Sequence, residues 1–144
     1  MTTDTEVERG PSSSELRAVA PVLEEYRAHL LFGDVWNRPG LAARDRSVVT
    51  LAALIARNQT IELADHVERA LENGVTAREV SEIITHLAFY AGWANAMAAV
   101  AVGKGVFASR GISAEQLPPS LHRRCRLTRR PKPIAQGVSK RKWA

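Results

Sequence analysis

The sequence predicts an all-α fold from three observations. Alanine dominates the apolar content, which makes up 45% of the chain, and alanine has the highest intrinsic helix propensity. Apolar residues recur at the three- and four-residue spacing of a helix face, without the strict alternation of a strand. Cap and stop signals divide the chain into segments of helical length. We expect a compact bundle of about five to six helices with a single core.

The charge distribution divides the chain into three parts. Residues 117–144 hold nine of the 20 Lys and Arg residues and no Asp or Glu. That leaves 11 basic against 15 acidic residues in 1–116, a net charge of −4, so the high pI belongs to the tail. The tail lacks periodicity and is expected to be disordered, with nucleic-acid contact at most non-specific. Residues 1–14 are polar and predict a flexible lead-in, and residues 15–116 form the predicted helical domain.

The first predicted helix runs from about Ser14 or Pro21 to Leu31. Proline is favoured in a first helical turn, so Pro21 suits a helix start better than an interior. Residues 32–36 predict a short turn of helix, and the composition of residues 37–40 (Asn-Arg-Pro-Gly) predicts a reverse turn.

Turn and cap residues delimit the second and third helices. The second is expected to cover roughly Ala43 to Arg57 and to end at Asn58-Gln59. Thr60 is expected to cap the third helix, which runs to Asn73 and stops at Gly74.

The fourth helix follows the capping-box pair Thr76 and Glu79 and is apolar on two sides. One side is a regular stripe: Val80, Ile83, Ile84, Leu87, Ala88 and Ala91. The residues about 90° to 180° away from this stripe are His86, Phe89, Tyr90 and Trp93. A helix that is apolar on two sides is buried on both, and in so small a chain the second cover is most simply another subunit. The pattern therefore predicts a homo-oligomer.

The fifth helix is expected from Ala94 to Arg110, with Gly111 as its stop and a short capped turn over 113–116. Residues 83–103 lack Asp, Glu, Lys and Arg and are long enough to test as a membrane span. Gly92 interrupts this stretch, and its halves have the pattern of separate helices, so no membrane contact is expected. The N-terminus lacks the apolar core of a signal peptide, and a single cysteine, Cys125, suits a reducing compartment. A cytoplasmic location is the expectation.

The polar face of the third helix is the leading candidate site. It carries Glu62, His66, Arg69 and Asn73, and two interpretations of it remain open. In one, the face is solvated and Glu62 and His66 form a weak i,i+4 pair. In the other, His66 is partly buried at the edge of the face, and a carboxylate that orients a half-buried imidazole makes a general acid near neutral pH.

Other candidate sites have weaker support. Arg44 and Arg46 lie in the first turns of the second helix, where the macrodipole favours acids, so they indicate either an anion site or ordinary surface arginines. His86 alone is either a core histidine or a ligand. No metal site is expected, because Glu62 and His66 supply only two ligands and no cysteine cluster is present. No cofactor is expected.

The chain resembles the carboxymuconolactone decarboxylase family over about residues 20–116. The matching blocks are Phe32-Gly33-Asp34-Val35-Trp36, Arg38-Pro39-Gly40-Leu41, and the ranges 46–52, 62–76, 86–97 and 105–107. The resemblance implies an all-helical protomer of the alkylhydroperoxidase D-like type that assembles into homotrimers or homohexamers.

The family has two chemistries. One branch reduces peroxides with a Cys-x-x-Cys motif followed four residues later by His. If His66 is that His, the cysteine positions fall on Gln59 and Glu62, and Cys125 lies far away in the tail. Thiol peroxidase chemistry needs a thiolate nucleophile and a resolving partner, so this activity is the disfavoured alternative.

The other branch lacks these cysteines and resembles the chain better. It implies a cofactor-free decarboxylase that acts on a small carboxylated lactone or keto acid in aromatic catabolism. In this comparison His66 is the proton donor and Glu62 its orienting partner, while Arg46, and after it Arg38, binds the substrate carboxylates. The expected pocket lining, across a subunit boundary, is His86, Tyr90 and Trp93. A third hypothesis is a non-enzymatic oligomeric binding protein with a basic tail that engages a partner.

Overall fold

The computed structural model describes residues 9–119, and over this range the protein is all-helical, as predicted. Six α-helices are present: α1 (Ser13–Val19), α2 (Pro21–Glu25), α3 (Ala43–Ala56), α4 (Thr60–Glu72), α5 (Ala77–Tyr90) and α6 (Trp93–Ser109). A π-helical segment, Tyr26–Leu31, continues α2, and short 3-10 turns lie at Val35–Asn37 and Ala114–Gln116. The expectations for the basic tail beyond residue 119, including Cys125, fall outside the described residues.

The core lies where α3, α4, α5 and α6 meet. Helix α3 packs against α4, and α6 packs against both α4 and α5. The side chains that are almost completely buried there include Leu51, Val67, Val80 and Val106. One long face of α4 is therefore committed to the core, which leaves its opposite face for the candidate site.

Local capping fixes the ends of the central helices. The Thr76 hydroxyl accepts a hydrogen bond from the Glu79 amide at 3.2 Å, and the Glu79 carboxylate accepts from the Thr76 amide at 2.9 Å, so the predicted capping box is confirmed. Gly74, with φ of +88°, follows the end of α4 as predicted. Thr60 is not a cap, which corrects the prediction by one residue: it is the first residue of α4, and Gln59 precedes it without a side-chain cap.

The N-terminal region contains two helices where the sequence predicts one helix that begins at either Ser14 or Pro21. Ala20, at φ −141° and ψ 69°, separates α1 from α2, because proline disfavours helical geometry in the residue before it. Ser12 caps α1 by accepting a hydrogen bond from the Glu15 amide at 3.3 Å. The end of the predicted lead-in thus forms the start of α1.

Gly92 divides the charge-free stretch 83–103 between α5 and α6. Its φ of 104° and ψ of 145° lie in a region that is essentially restricted to glycine. Among the described residues, no helix has the length and apolarity needed to cross a bilayer.

Large apolar side chains remain exposed along one side of the α5–α6 junction. We call this the α5–α6 apolar surface, formed by Phe89, Tyr90, Trp93, Met97 and Val100. Phe89 is 80% exposed and Tyr90 78% exposed, values that are unusual for adjacent aromatic residues. Of the second apolar side predicted for the fourth helix, His86, Phe89 and Tyr90 are exposed on α5, whereas Trp93 is the first residue of α6.

Candidate functional site

His66 lies at the edge of α4 between the core and the polar face. It is half-buried, and the Trp36 ring stacks on its imidazole with centroids 5.9 Å apart and an interplanar angle of 26°. Its Nδ1 is buried and has no hydrogen-bond partner among the described residues. Burial lowers the pKa of His66, and the charge of Arg69 lowers it further, while Glu62 and Asp65 oppose the shift. The imidazole is consequently biased towards its neutral form.

Arg69, one turn after His66, lies against two aromatic rings. Its guanidinium carbon is 4.2 Å from the centroid of the Phe32 ring and 5.3 Å from that of the Trp36 ring. Phe32 and Trp36 are themselves 6.0 Å apart with a tilted geometry. We call His66, Arg69, Phe32 and Trp36 the aromatic–cation cluster. It combines an imidazole whose pKa is lowered with a cation held against two aromatic rings.

The sequence assigned no role to three members of this cluster. In the sequence, Arg69 belongs to the polar face of the third predicted helix, and Phe32 and Trp36 belong to a short turn and to one of the blocks that carry the family resemblance. Their spacing of four residues does place both rings on one side of a helical turn, which was the available signal. The helix that this turn packs against is determined by the tertiary fold and cannot be predicted from the local sequence.

Glu62 lies one turn before His66 but does not bond to it. No hydrogen bond joins the two side chains within residues 9–119, and Glu62 acts on the imidazole only through its charge. Its carboxylate points towards the N-terminal segment, where a Cβ on Gly10 would lie 3.4 Å from Oε1. The predicted role of Glu62 as the orienting partner remains a prediction.

The N-terminal segment crosses the polar face of α4. Arg9 donates hydrogen bonds to Asp65 at 3.2 Å and to Glu68 at 2.6 Å. A cleft of about 380 Å³ lies between this segment, the α2 region and α4. It is lined by Gly10, Pro11, Leu16, Leu23, Tyr26, Arg27, Leu30, Leu31, Val35, Glu62 and Asp65. Most of its lining side chains are apolar, Arg27 is basic, and its two α4 residues, Glu62 and Asp65, are acidic.

Part of the Arg46 guanidinium is occupied by hydrogen bonds within the protein. Its Nη2 donates to the backbone carbonyls of Arg38 at 3.0 Å and of Leu41 at 3.1 Å, and its buried Nε has no partner in the described part of the chain. Arg46 therefore holds the loop before α3, and with it the position of the exposed Arg38. Arg44 forms an ion pair with Glu79, which neutralises the anion site considered for it.

The predicted pocket-lining residues lie elsewhere on the protomer. His86 stacks on Tyr90 with centroids 4.5 Å apart, and both, with Trp93, are exposed around the α5–α6 junction. None of the three lines the cleft beside Glu62. They join the α4 face only if a second subunit brings them there.

Metal ligands do not gather in the described part of the chain. Over residues 9–119, no group of three or more His, Cys, Asp and Glu side chains has the arrangement needed to hold a metal ion. The chemistry that this face can perform with its own side chains is proton transfer at an imidazole and anion binding at a guanidinium.

Comparisons with known proteins place these residues in a family context. The model of the carboxymuconolactone decarboxylase family matches residues 21–105, which include the whole aromatic–cation cluster. A 4-carboxymuconolactone decarboxylase of Acinetobacter baylyi is 37% identical over 94 residues, 65% of this chain and 70% of that protein. A nitrosuccinic acid decarboxylase of Metarhizium robertsii is 39% identical over 71 residues, which span 49% of this chain and 50% of that protein. An uncharacterized 15.0 kDa protein of Paracoccus denitrificans is 29% identical over 99 residues.

Proposed function

The chain belongs to the carboxymuconolactone decarboxylase family, and we propose that it is a cofactor-free decarboxylase of a small carboxylated lactone or keto acid. Two relatives with decarboxylase names support a carboxy-lyase over the thiol peroxidase chemistry known elsewhere in the family. The cysteine-free sequence of residues 1–124 favours the same choice. A cytoplasmic location and a place in the breakdown of aromatic compounds are part of the proposal.

The reaction needs one electron sink and one proton. The bond between the substrate carbon and its carboxylate breaks, carbon dioxide leaves, and the bonding electrons move into the conjugated carbonyl of the substrate. The enolate carbon that lost the carboxylate takes a proton from the His66 imidazolium, and His66 then regains a proton from water. The protein supplies the proton and stabilises the developing negative charge.

The observation that carries the proposal is the environment of His66. A half-buried imidazole with an unpartnered Nδ1 is costly to a fold and is expected at a functional site. Stacking on Trp36 fixes the ring, and a proton donor must be held within hydrogen-bond reach of its acceptor. We assign His66 as the proton donor and Glu62 as the carboxylate that stabilises the imidazolium through its charge.

Arg46 and Arg38 are the residues proposed to bind the carboxylates of the substrate. Arg38 is exposed on the loop before α3, while Nη2 of Arg46 already serves two carbonyls of that loop. Arg46 thus acts partly by positioning Arg38, and only the rest of its guanidinium is left for the substrate.

We propose that the protein assembles as a homotrimer or homohexamer through the α5–α6 apolar surface. The exposure of Phe89, Tyr90 and Trp93 supports this, because an exposed apolar patch of adjacent aromatic residues marks an interaction surface. In the assembly, His86, Tyr90 and Trp93 of one subunit would line the pocket of the next.

The test is turnover of a substrate panel by wild-type protein and His66→Gln. The panel contains 4-carboxymuconolactone, related carboxylated lactones, keto acids and nitrosuccinate, and the readout is carbon dioxide release. We expect His66→Gln to lose turnover by about 100-fold or more, as removal of a general acid does. His29→Gln changes an exposed histidine on the π-helical segment and serves as the control with unchanged turnover. A wild-type protein inactive on the whole panel, or a fully active His66→Gln, would refute the proposal.

A further inference from the structure

Arg69 has the features of a ligand-binding arginine. Its guanidinium lies over the Phe32 ring and beside Trp36, an arrangement that fixes the plane of its donors while leaving its charge intact. Within residues 9–119 it forms no ion pair, whereas Arg9, Arg27, Arg44 and Arg110 each contact a carboxylate. Arg69 is also half-buried, so its charge is less screened than that of a surface arginine.

We propose that Arg69 binds a carboxylate of the substrate directly beside His66, and that Phe32 and Trp36 hold its guanidinium in place for this contact. This inference rests on the proposed function, since it adds a carboxylate-binding residue to the same site. Residues 66 and 69 lie one turn apart on one face of α4, so a ligand bound to Arg69 places its carbon skeleton next to the imidazole.

The carboxylate that Arg69 binds is the one that remains in the product. An interaction with the departing carboxylate would weaken as its charge moves into the carbon skeleton, so it would stabilise the substrate more than the transition state. A contact with the retained carboxylate keeps its strength throughout and orients the reacting carbon towards His66.

Anion binding at Arg69 also raises the pKa of His66, the proposed proton donor. In the free protein the charge of Arg69 lowers the pKa of His66, and burial acts in the same direction. The other charged groups that act on the imidazole are Glu62 and Asp65, both on α4, and the side chain stacked on it from the 3-10 turn, Trp36, is uncharged. A carboxylate on Arg69 cancels the repulsive charge, so substrate binding raises the pKa of His66 and increases the protonated fraction.

A binding experiment tests the inference without turnover. The pKa of His66 is followed by NMR of the imidazole C–H signals, assigned with His66→Gln, with and without saturating succinate at constant ionic strength. We expect succinate to raise the pKa of His66 by about one unit in wild-type protein, as a nearby opposite charge does. The uncharged diamide of succinate should have no effect.

Two variants and one control complete the experiment. In Arg69→Met we expect the pKa of free His66 to rise and succinate to cause no further shift, whereas Arg69→Lys should keep part of the response. Arg78→Met removes an exposed arginine of α5 and should behave as wild type. With an active substrate, Arg69→Met should raise KM by about 10- to 100-fold, the effect of a lost charged hydrogen bond, and change kcat less.

The outcomes separate this inference from the proposed function. No succinate-induced shift in wild-type protein, or an equal shift in Arg69→Met and wild type, overturns the role of Arg69. If the substrate panel shows no turnover but succinate raises the pKa of His66 through Arg69, the decarboxylase proposal fails and the carboxylate site stands. If Arg69→Met does not fold, the response of Arg69→Lys decides: a response equal to that of wild type overturns the requirement for the planar guanidinium.

Discussion

Replacing Arg46 by methionine separates a structural role from a substrate-binding role. Methionine keeps the apolar stem but removes both hydrogen bonds from Nη2 to the carbonyls of Arg38 and Leu41. A hydrogen bond to a charged group contributes about 1.5–3 kcal/mol. Both carbonyls belong to exposed residues and can bind water once freed, and the variant also removes the buried, unpartnered Nε. We therefore expect a net loss of about 1–2 kcal/mol in the free energy of unfolding.

Urea unfolding followed by helical circular dichroism measures this loss. With a slope of about 2 kcal/mol per molar urea, the midpoint should fall by roughly 0.5–1 M. The variants must be compared at one protein concentration, because assembly makes apparent stability concentration-dependent. Arg38→Met is the control: its carbonyl stays held by Arg46, so its stability should change by less than about 0.5 kcal/mol while KM rises. An unchanged midpoint for Arg46→Met together with a raised KM would refute the structural role and assign the guanidinium to the substrate.

Three further predictions address the pH response, the helix junction and the assembly. The pKa of His66 lies below its ordinary value of 6.5 in the folded protein, so the unfolded state binds more protons as the pH falls below about 6.5. Wild-type protein should therefore lose stability relative to His66→Gln between pH 7.5 and pH 5.5; a constant difference contradicts this. Gly92→Ala should cost about 1–3 kcal/mol, because φ is +104°, whereas Gly40→Ala, at an open site without positive φ, should be neutral in the same urea assay. If the proposed oligomer forms through the α5–α6 apolar surface, Trp93→Asp should convert it to monomers in light scattering, and an oligomer that persists in the variant would exclude this surface as the interface.

Local signals predicted the central helices because local chemistry determines their ends. The Thr76/Glu79 box and the positive φ of Gly74 each depend on residues within one turn. The break at Ala20 has the same local origin, because Pro21 is favoured in a first helical turn and begins α2, but the sequence left Ser14 and Pro21 open as alternative starts of a single helix. The sequence therefore predicts helix ends wherever only one local interpretation exists.

Burial of charged groups was beyond local prediction. Glu24 is buried and accepts a hydrogen bond from Nε of Arg27 at 2.7 Å, and Arg27 also donates to Ser13 at 2.6 Å. Arg27 lowers the pKa of Glu24 through this bond. A carboxylate on a short helix normally predicts an exposed side chain, and only the packing of α1 against α2 reverses this.

In the candidate site, too, some features follow from the local sequence and others only from the tertiary fold. The position of His66 at the edge of the apolar face followed from helix periodicity, and the structure places it there, half-buried. Trp36, which stacks on His66, and Phe32, which packs against Arg69, come from a turn about 30 residues earlier, so their contact with α4 is a property of the tertiary fold. The hydrogen bonds of Arg46 to its own loop depend likewise on how that loop folds back. The sequence predicted the half-buried position of His66 but not the residues that determine its environment.

The unpartnered Nδ1 of His66 predicts that an apolar ring at this position makes the protein more stable but inactive. A buried polar atom without a hydrogen bond costs about 1–3 kcal/mol, whereas an apolar ring of similar shape does not carry this cost. His66→Phe keeps the stack on Trp36 and should be as stable as wild type or more stable, by up to about 1–2 kcal/mol, while it loses all turnover. Urea unfolding at pH 8 tests this with the imidazole neutral, so that its charge does not contribute. His66→Ala, which loses the stack as well, should be less stable than His66→Phe. If His66→Phe is instead clearly less stable than wild type, the unpartnered Nδ1 carries no net cost to the fold, and the environment of the imidazole no longer supports a catalytic role.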